Sequence, residues 1–290
     1  MARSVFRSEE GRRAVVAYYE RILGDAGAAS PFRRRTVETS LGKTHLLEAG
    51  PERAPALLLL HGTASNSATW LGDLPFWAQH FRVLAADIPG EPGLSEDRRL
   101  TLASDEPQTW LRDLLDALGL SSVHMVGLSL GGWMALRFAT REPERVQALS
   151  LLSAGGLAPQ KRSFLLVALP LSLLGAWGLR KVNRIVCRGV EIHPEVEEFM
   201  ALVGRHFRPL LEPIPVFRDE ELARLTMPIQ SFAGGRDALL HSAASVARIR
   251  RLLPHAEAHL IPNCGHAVIG KAEEVFEFQR RVADTHRAPS

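Results

Sequence analysis

Four stretches of this chain, PALLLLHG, FRVLAADI, SSVHMVG and RVQALSLLSAG, are short, nearly continuous apolar runs, each stopped by polar or glycine-containing sequence. A run this short and this apolar reads as a strand covered on both faces, as in a parallel sheet with crossover helices above and below it. Helical periodicity fills the gaps. EPQTWLRDLLDALGL puts Trp110, Leu111, Leu114, Leu115 and Leu118 at helical spacing, with Pro107 in its first turn and Gly119 as its stop. LGGWMALRFATREP reads as a helix ended by Pro143. Further on, MPIQSFAGG, SAASVARIRRLLP, AEAHLIPNCGH and KAEEVFEFQRRVAD repeat strand, helix, strand, helix. Such alternation implies right-handed crossovers and an α/β fold, with a mostly parallel central sheet and helices on both faces.

Ahead of the first apolar run, Val15, Val16, Tyr19, Ile22 and Leu23 share one face of an amphipathic helix. RTVETS and KTHLLEAG then flank Leu41 and Gly42 as a hairpin. The rhythm fails between residues 156 and 218, which are rich in Leu, Pro and Arg and hold helical pieces but no convincing strand. The expected organisation is therefore a core of residues 1–155 and 219–290 with a helical lid, 156–218, inserted over the C-terminal edge of the sheet. Ligands of open α/β sheets bind at that edge.

Composition excludes several classes. With 46% hydrophobic residues, 35 basic against 32 acidic ones and a formal charge of +3, the 290-residue chain is an ordinary globular protein with a mixed surface. Arg33, Arg34 and Arg35 alternate into a strand-like segment, so a solvated face is expected there and no nucleic acid partner. Cys187 and Cys264 lack metal-ligand spacing and cannot build a disulfide framework, and MARSVFRSEEGRR is not followed by an apolar signal core; a cytoplasmic location is expected. The run from Phe164 to Leu179 is interrupted by Pro170 and two glycines and is short for a bilayer span. It reads as a buried or lid-forming segment, with no stable membrane insertion.

VHMVGLSLGGW places Ser129 at the end of a strand, between Gly127 and Gly131. A serine hydroxyl needs an adjacent base and must stand clear of the backbone to reach a carbonyl carbon. A sharp strand-to-helix turn provides that exposure, and the residues two before and two after must be small. The same turn aims the next helix N-terminus at the reacting oxygen, making the Leu130 N–H half of an oxyanion hole. The loop after LLLLHG supplies the other half through the Thr63 N–H. Asp237 in GGRDALL follows a strand, and His266 in PNCGHAVIG follows the last one, giving the chain order Ser, Asp, His that accompanies such an elbow.

LLLLHGTASNSATW, AADIPGEPGLSE, VHMVGLSLGGW, FAGGRDALL and IPNCGHAVI together resemble an α/β-hydrolase of the carboxylesterase type, in the bacterial branch that includes naproxen-ester hydrolases. The resemblance covers nearly the whole chain, least in the lid. The loop DIPGEPGLS is longer than the usual D-x-x-G-x-G-x-S, a departure at the pocket edge. By this resemblance Ser129 is the nucleophile, His266 the general base and then acid, and Asp237 the carboxylate that orients the imidazole. It implies hydrolysis of a small-molecule ester with an apolar part, by a monomer or homodimer needing no cofactor and no metal. The same triad could instead cleave a lactone, a thioester or a carbon-carbon bond, or persist in a ligand receptor.

Neighbouring residues carry plainer expectations. Trp70 and Trp133 either line a substrate pocket or fill core. His61 is expected to hold structure by hydrogen bonding, Asp87 to organise its loop, and Cys264 to be a small buried thiol rather than a partner of His266.

Overall fold

The apolar runs pair into one eight-stranded sheet in the order β1-β2-β4-β3-β5-β6-β7-β8. Its strands are β1 (Arg33–Thr39), β2 (Gly42–Ala49), β3 (Ala56–Leu60), β4 (Arg82–Ala86), β5 (Val123–Leu128), β6 (Val146–Leu152), β7 (Ile229–Gly234) and β8 (Glu257–Ile261). The structure, a computed structural model, describes residues 4–29, 32–210 and 212–287. The hairpin of β1 and β2 is antiparallel and β2 meets β4 antiparallel. All the other pairs are parallel.

Strand β3 shows why the runs are continuously apolar. Its side chains alternate between two cores, and every one of them is buried. Leu58 and Leu60 point into the core shared with Trp110, Leu114 and Phe138, from α3 (Glu106–Ala117) and α4 (Leu130–Ala139). Leu57 and Leu59 point the other way, towards Val15, Tyr19 and Leu23 of α1 (Glu9–Ala29). With both faces covered, no position on the strand is free to be polar. Of the five residues expected on the inner face of α1, Val15, Tyr19 and Leu23 are fully buried, while Val16 and Ile22 are half-buried.

Further helices cover the sheet: α2 (Leu74–Trp77), α9 (Ser242–Leu252) and α10 (Ala272–Arg287). Helix α4 stops at Ala139, a few residues before Pro143, which opens a short 3-10 turn instead. Between β6 and β7 the chain forms α5 (Ser163–Ser172), α6 (Gly175–Val186), α7 (Pro194–His206) and the single turn α8 (Asp219–Leu222). The apolar run inside α5 is not buried, which removes one of its two expected readings. Leu166 is 78% exposed and Leu173 86%. Among the described residues no helix is long and apolar enough to cross a membrane.

Candidate active site

Where β5 turns into α4, Ser129 has φ 52° and ψ −107°, a positive φ that an L-residue adopts only under strain. The glycines around it are a steric necessity. A Cβ on Gly131 would lie 2.2 Å from the Leu60 carbonyl oxygen, and one on Gly127 would lie 2.6 Å from the backbone of Gly131. Backbone cannot swing away as a side chain can. The turn is further held by Ser129 N–H donating to the Leu152 oxygen at 2.9 Å and Gly131 N–H donating to the His61 oxygen at 3.1 Å.

Two loops converge on this hydroxyl. His266, after β8, lies with Nε2 at 2.8 Å from Ser129 Oγ and Nδ1 at 2.8 Å from Asp237 Oδ2, in the loop after β7. Burial pushes the Asp237 carboxyl up, but His266 and the amides of Leu239 and Leu240 outweigh it and hold the group below its ordinary value. Those amides donate to Oδ1 at 2.7 and 3.0 Å. Asp237 is thus an ionised acceptor, and Nδ1 of His266 carries the proton. Nε2 is left with a lone pair facing the Ser129 hydroxyl.

The β3 end approaches from the other side. A Cβ on Gly62 would sit 3.5 Å from the Ser129 Cβ, so the backbone of Thr63 follows directly beside the nucleophile. Among the described residues neither the Thr63 nor the Leu130 N–H meets an acceptor. His61 fixes this loop from beneath. Ile88 N–H donates to its Nε2 at 2.9 Å, so its Nδ1 holds the proton and donates to the Gly62 oxygen at 2.8 Å. Burial lowers its pKa and keeps it neutral. Asp87 accepts from Tyr19 Oη, Ser67 N and Leu94 N, and its Oδ2 lies 3.2 Å from His45 Nδ1. These bonds make it the organiser of its loop and take it away from the histidine of the site.

Trp70 and Trp133 are both buried. Trp70 is 3% exposed and packs on Trp77, with ring centroids 5.8 Å apart. Trp133 is 1% exposed, stacks on Phe217 and donates from Nε1 to the Pro215 oxygen at 2.8 Å. Trp133 and Trp70 each pack within one of the two hydrophobic cores. Cys264 is a buried free thiol whose Sγ lies 3.5 Å from the Ala267 oxygen.

Two features were not anticipated. Glu91, buried in the long loop DIPGEPGLS, accepts from Ala64 N–H at 2.6 Å and props the residue next to Thr63, itself at φ 58°. Burial pushes this carboxyl up to about 7, against the pull of the Ala64 amide and Arg99. The only sequence signal was the loop's unusual length. The inserted helices are also tied to the catalytic loops at both ends. Lys161 Nζ donates to the backbone carbonyl oxygen of Asp237 at 2.6 Å, while Gly265 and His266 N–H donate to the Arg188 and Val186 carbonyl oxygens at 2.7 and 2.9 Å.

The chain is similar to known carboxylesterases along most of its length. The chain is 32% identical over 242 residues to the carboxylesterase YbfK of Bacillus subtilis (strain 168), spanning 79% of this chain and 80% of the relative. It is 32% identical over 246 residues to the uncharacterized carboxylesterase nap of the same strain, spanning 80% of each. The crystal structure of carboxylesterase CesB (YbfK) from B. subtilis superposes with a TM-score of 0.80 at 28% identity, over 98% of this chain and 100% of the other. That of naproxen esterase from B. subtilis gives 0.76 at 29% identity, over 93% and 96%. The sequence model of the alpha/beta hydrolase family matches residues 57–278, and the chain belongs to that family.

Proposed function

We propose that the protein is a serine carboxylesterase that hydrolyses carboxylic esters with an apolar part through an acyl-enzyme. The observation that carries this reading is the unbroken relay from Ser129 Oγ through His266 to Asp237, with both contacts at 2.8 Å, beside two amides free to bind an oxyanion. The carboxylesterase names of the relatives support the same chemistry.

Ser129 Oγ attacks the ester carbonyl carbon while His266 Nε2 takes its proton. The carbonyl oxygen becomes an oxyanion that accepts from the N–H groups of Thr63 and Leu130. Each such donor is worth about 3 kcal/mol of barrier. Collapse expels the alkoxide, which takes the proton back from His266 and leaves as the alcohol. Water, deprotonated by His266, then attacks the Ser129 acyl ester and the carboxylic acid departs. Asp237 stays ionised throughout and holds the imidazole in the tautomer that can accept at Nε2.

The test is p-nitrophenyl ester hydrolysis across an acyl-chain series. Wild-type turnover should vanish in Ser129→Ala and fall about 10⁴-fold in Asp237→Asn, whose amide favours the wrong histidine tautomer. A folded wild-type protein inactive on every ester would hand the site to lactone, thioester or carbon-carbon chemistry, or to a receptor.

A further inference from the structure

Large apolar side chains are exposed in one place above all. Of the twelve that stand exposed among the described residues, seven lie between Leu165 and Trp177, on α5, the turn after it and the start of α6. Leu166, Leu169, Leu173 and Trp177 are 78%, 57%, 86% and 53% exposed. Exposure of this density on one hairpin of helices marks an interaction surface.

The charge around it is one-sided. Residues 161–190 contain Lys161, Arg162, Arg180, Lys181, Arg184 and Arg188, and no Asp or Glu. Without these six the chain would have an excess of three acidic residues. On α6 the cations sit against the apolar surface itself. Lys181 Nζ lies 5.5 Å from the Trp177 ring centroid, one helical turn along. Arg184 reaches only as far as Glu197, at 4.0 Å, and Arg180 and Lys181 have no carboxylate partner among the described residues. Leucine and tryptophan bordered by unpaired Lys and Arg is the pattern of a helix that lies in the headgroup layer of an anionic membrane.

We propose that the exposed face of α5 and α6 docks on an anionic lipid bilayer and holds at the membrane surface the segment hydrogen-bonded to the Asp237 and His266 loops. A second copy of the chain fits the face less well. A two-fold contact would set the same patch against itself and bring Arg180 and Lys181, which have no carboxylate partner among the described residues, against their own copies. The placement also suits the chemistry proposed above, on which this extension to membrane-partitioned esters rests. The docking segment is fastened at one end to the Asp237 loop by Lys161 and at the other to the His266 loop through Val186 and Arg188. A bilayer that holds α5 and α6 therefore holds the segment bonded to both the Asp237 and His266 loops.

Vesicle flotation separates docking from turnover. The probes are vesicles of phosphatidylcholine alone and of phosphatidylcholine mixed with phosphatidylglycerol. Wild type and Ser129→Ala should float equally with the anionic vesicles, and added salt should release both. Arg180→Glu with Lys181→Glu should weaken binding by at least about fivefold for each cation lost. Leu166→Glu with Leu173→Glu should abolish it. Both double variants alter exposed residues and should keep wild-type rates on a short soluble ester, which shows that the fold is intact. Failure to float, or floating that neither double variant weakens, would overturn the proposal. So would a concentration-dependent dimer lost in Leu166→Glu without any vesicle binding, which would give the face to a second copy. Esterase failure with vesicle binding intact would overturn the catalytic reading alone.

Discussion

Glu91 shows how a single carboxyl can set the behaviour of the oxyanion loop. Its side chain is buried beneath Ala64, and burial holds its proton up to about pH 7. Below the ordinary value of 4.5 the group is neutral in both folded and unfolded chains. Between that value and about 7 the folded chain keeps a proton that the unfolded chain releases, so stability falls as pH rises and levels off above about 7. Glu91→Gln removes this dependence while leaving an oxygen for the Ala64 amide. Urea unfolding should therefore show the variant gaining on wild type from acid to alkaline pH, by on the order of 3 kcal/mol in total. Parallel stability curves for the two proteins would mean that Glu91 does not carry the titration.

The elements differ in how they depend on the rest of the chain. Trp133 is one contact through which α4 grips the segment returning from the inserted helices, by a stack on Phe217 and a bond to the Pro215 oxygen. Trp133→Phe keeps an aromatic ring and loses the donor, and should cost about 1 kcal/mol. Trp133→Ala should cost about 4 kcal/mol and raise hydrogen exchange around Pro215, read by mass spectrometry alongside denaturant unfolding. Unchanged exchange there would show that other contacts hold the segment. This grip was not legible in the sequence, where the same ring could line a pocket or fill core. Strands β3 to β7 and helices α3 and α4 were legible because burial on both faces or on one stripe leaves its mark within a few consecutive residues. Ser129, Asp237 and His266 could be picked out because each occupies a turn whose shape needs particular neighbours. Glu91 and the anchors of α5 and α6 depend on contacts between segments far apart in sequence, which no local pattern encodes. The exposure of α5 was missed for a related reason, since a run apolar all round reads the same whether core or another surface covers it.

Across the molecule, the N-terminal segment is strapped to the chain that follows α7. Phe6 and Phe207 form an antiparallel bridge, with Arg7 N–H donating to the His206 oxygen and Arg208 N–H to the Val5 oxygen, each at 2.8 Å. Val5 N–H donates to Asp97, so the same strap also reaches the loop after β4. Helix α7, at the base of the insertion, packs on α1 beside this strap. Removing the chain before Ser8 should free α7 to exchange its amides faster and lower the melting temperature by several degrees, with β3 to β7 protected as before. A melting temperature and exchange pattern equal to wild type would show that the strap contributes nothing. The strap thus ties the inserted helices to the N-terminal segment and to the loop after β4.

All of this chemistry turns on whether Ser129 is an activated nucleophile. The direct measurement is labelling by a fluorophosphonate, which reacts only with a serine whose proton has a base to accept it, followed by peptide mass spectrometry. One adduct per chain on the Ser129 peptide is expected, lost in Ser129→Ala and greatly slowed in His266→Ala. Labelling of a different residue, or none on a folded wild-type protein, would contradict the triad built from Ser129, His266 and Asp237.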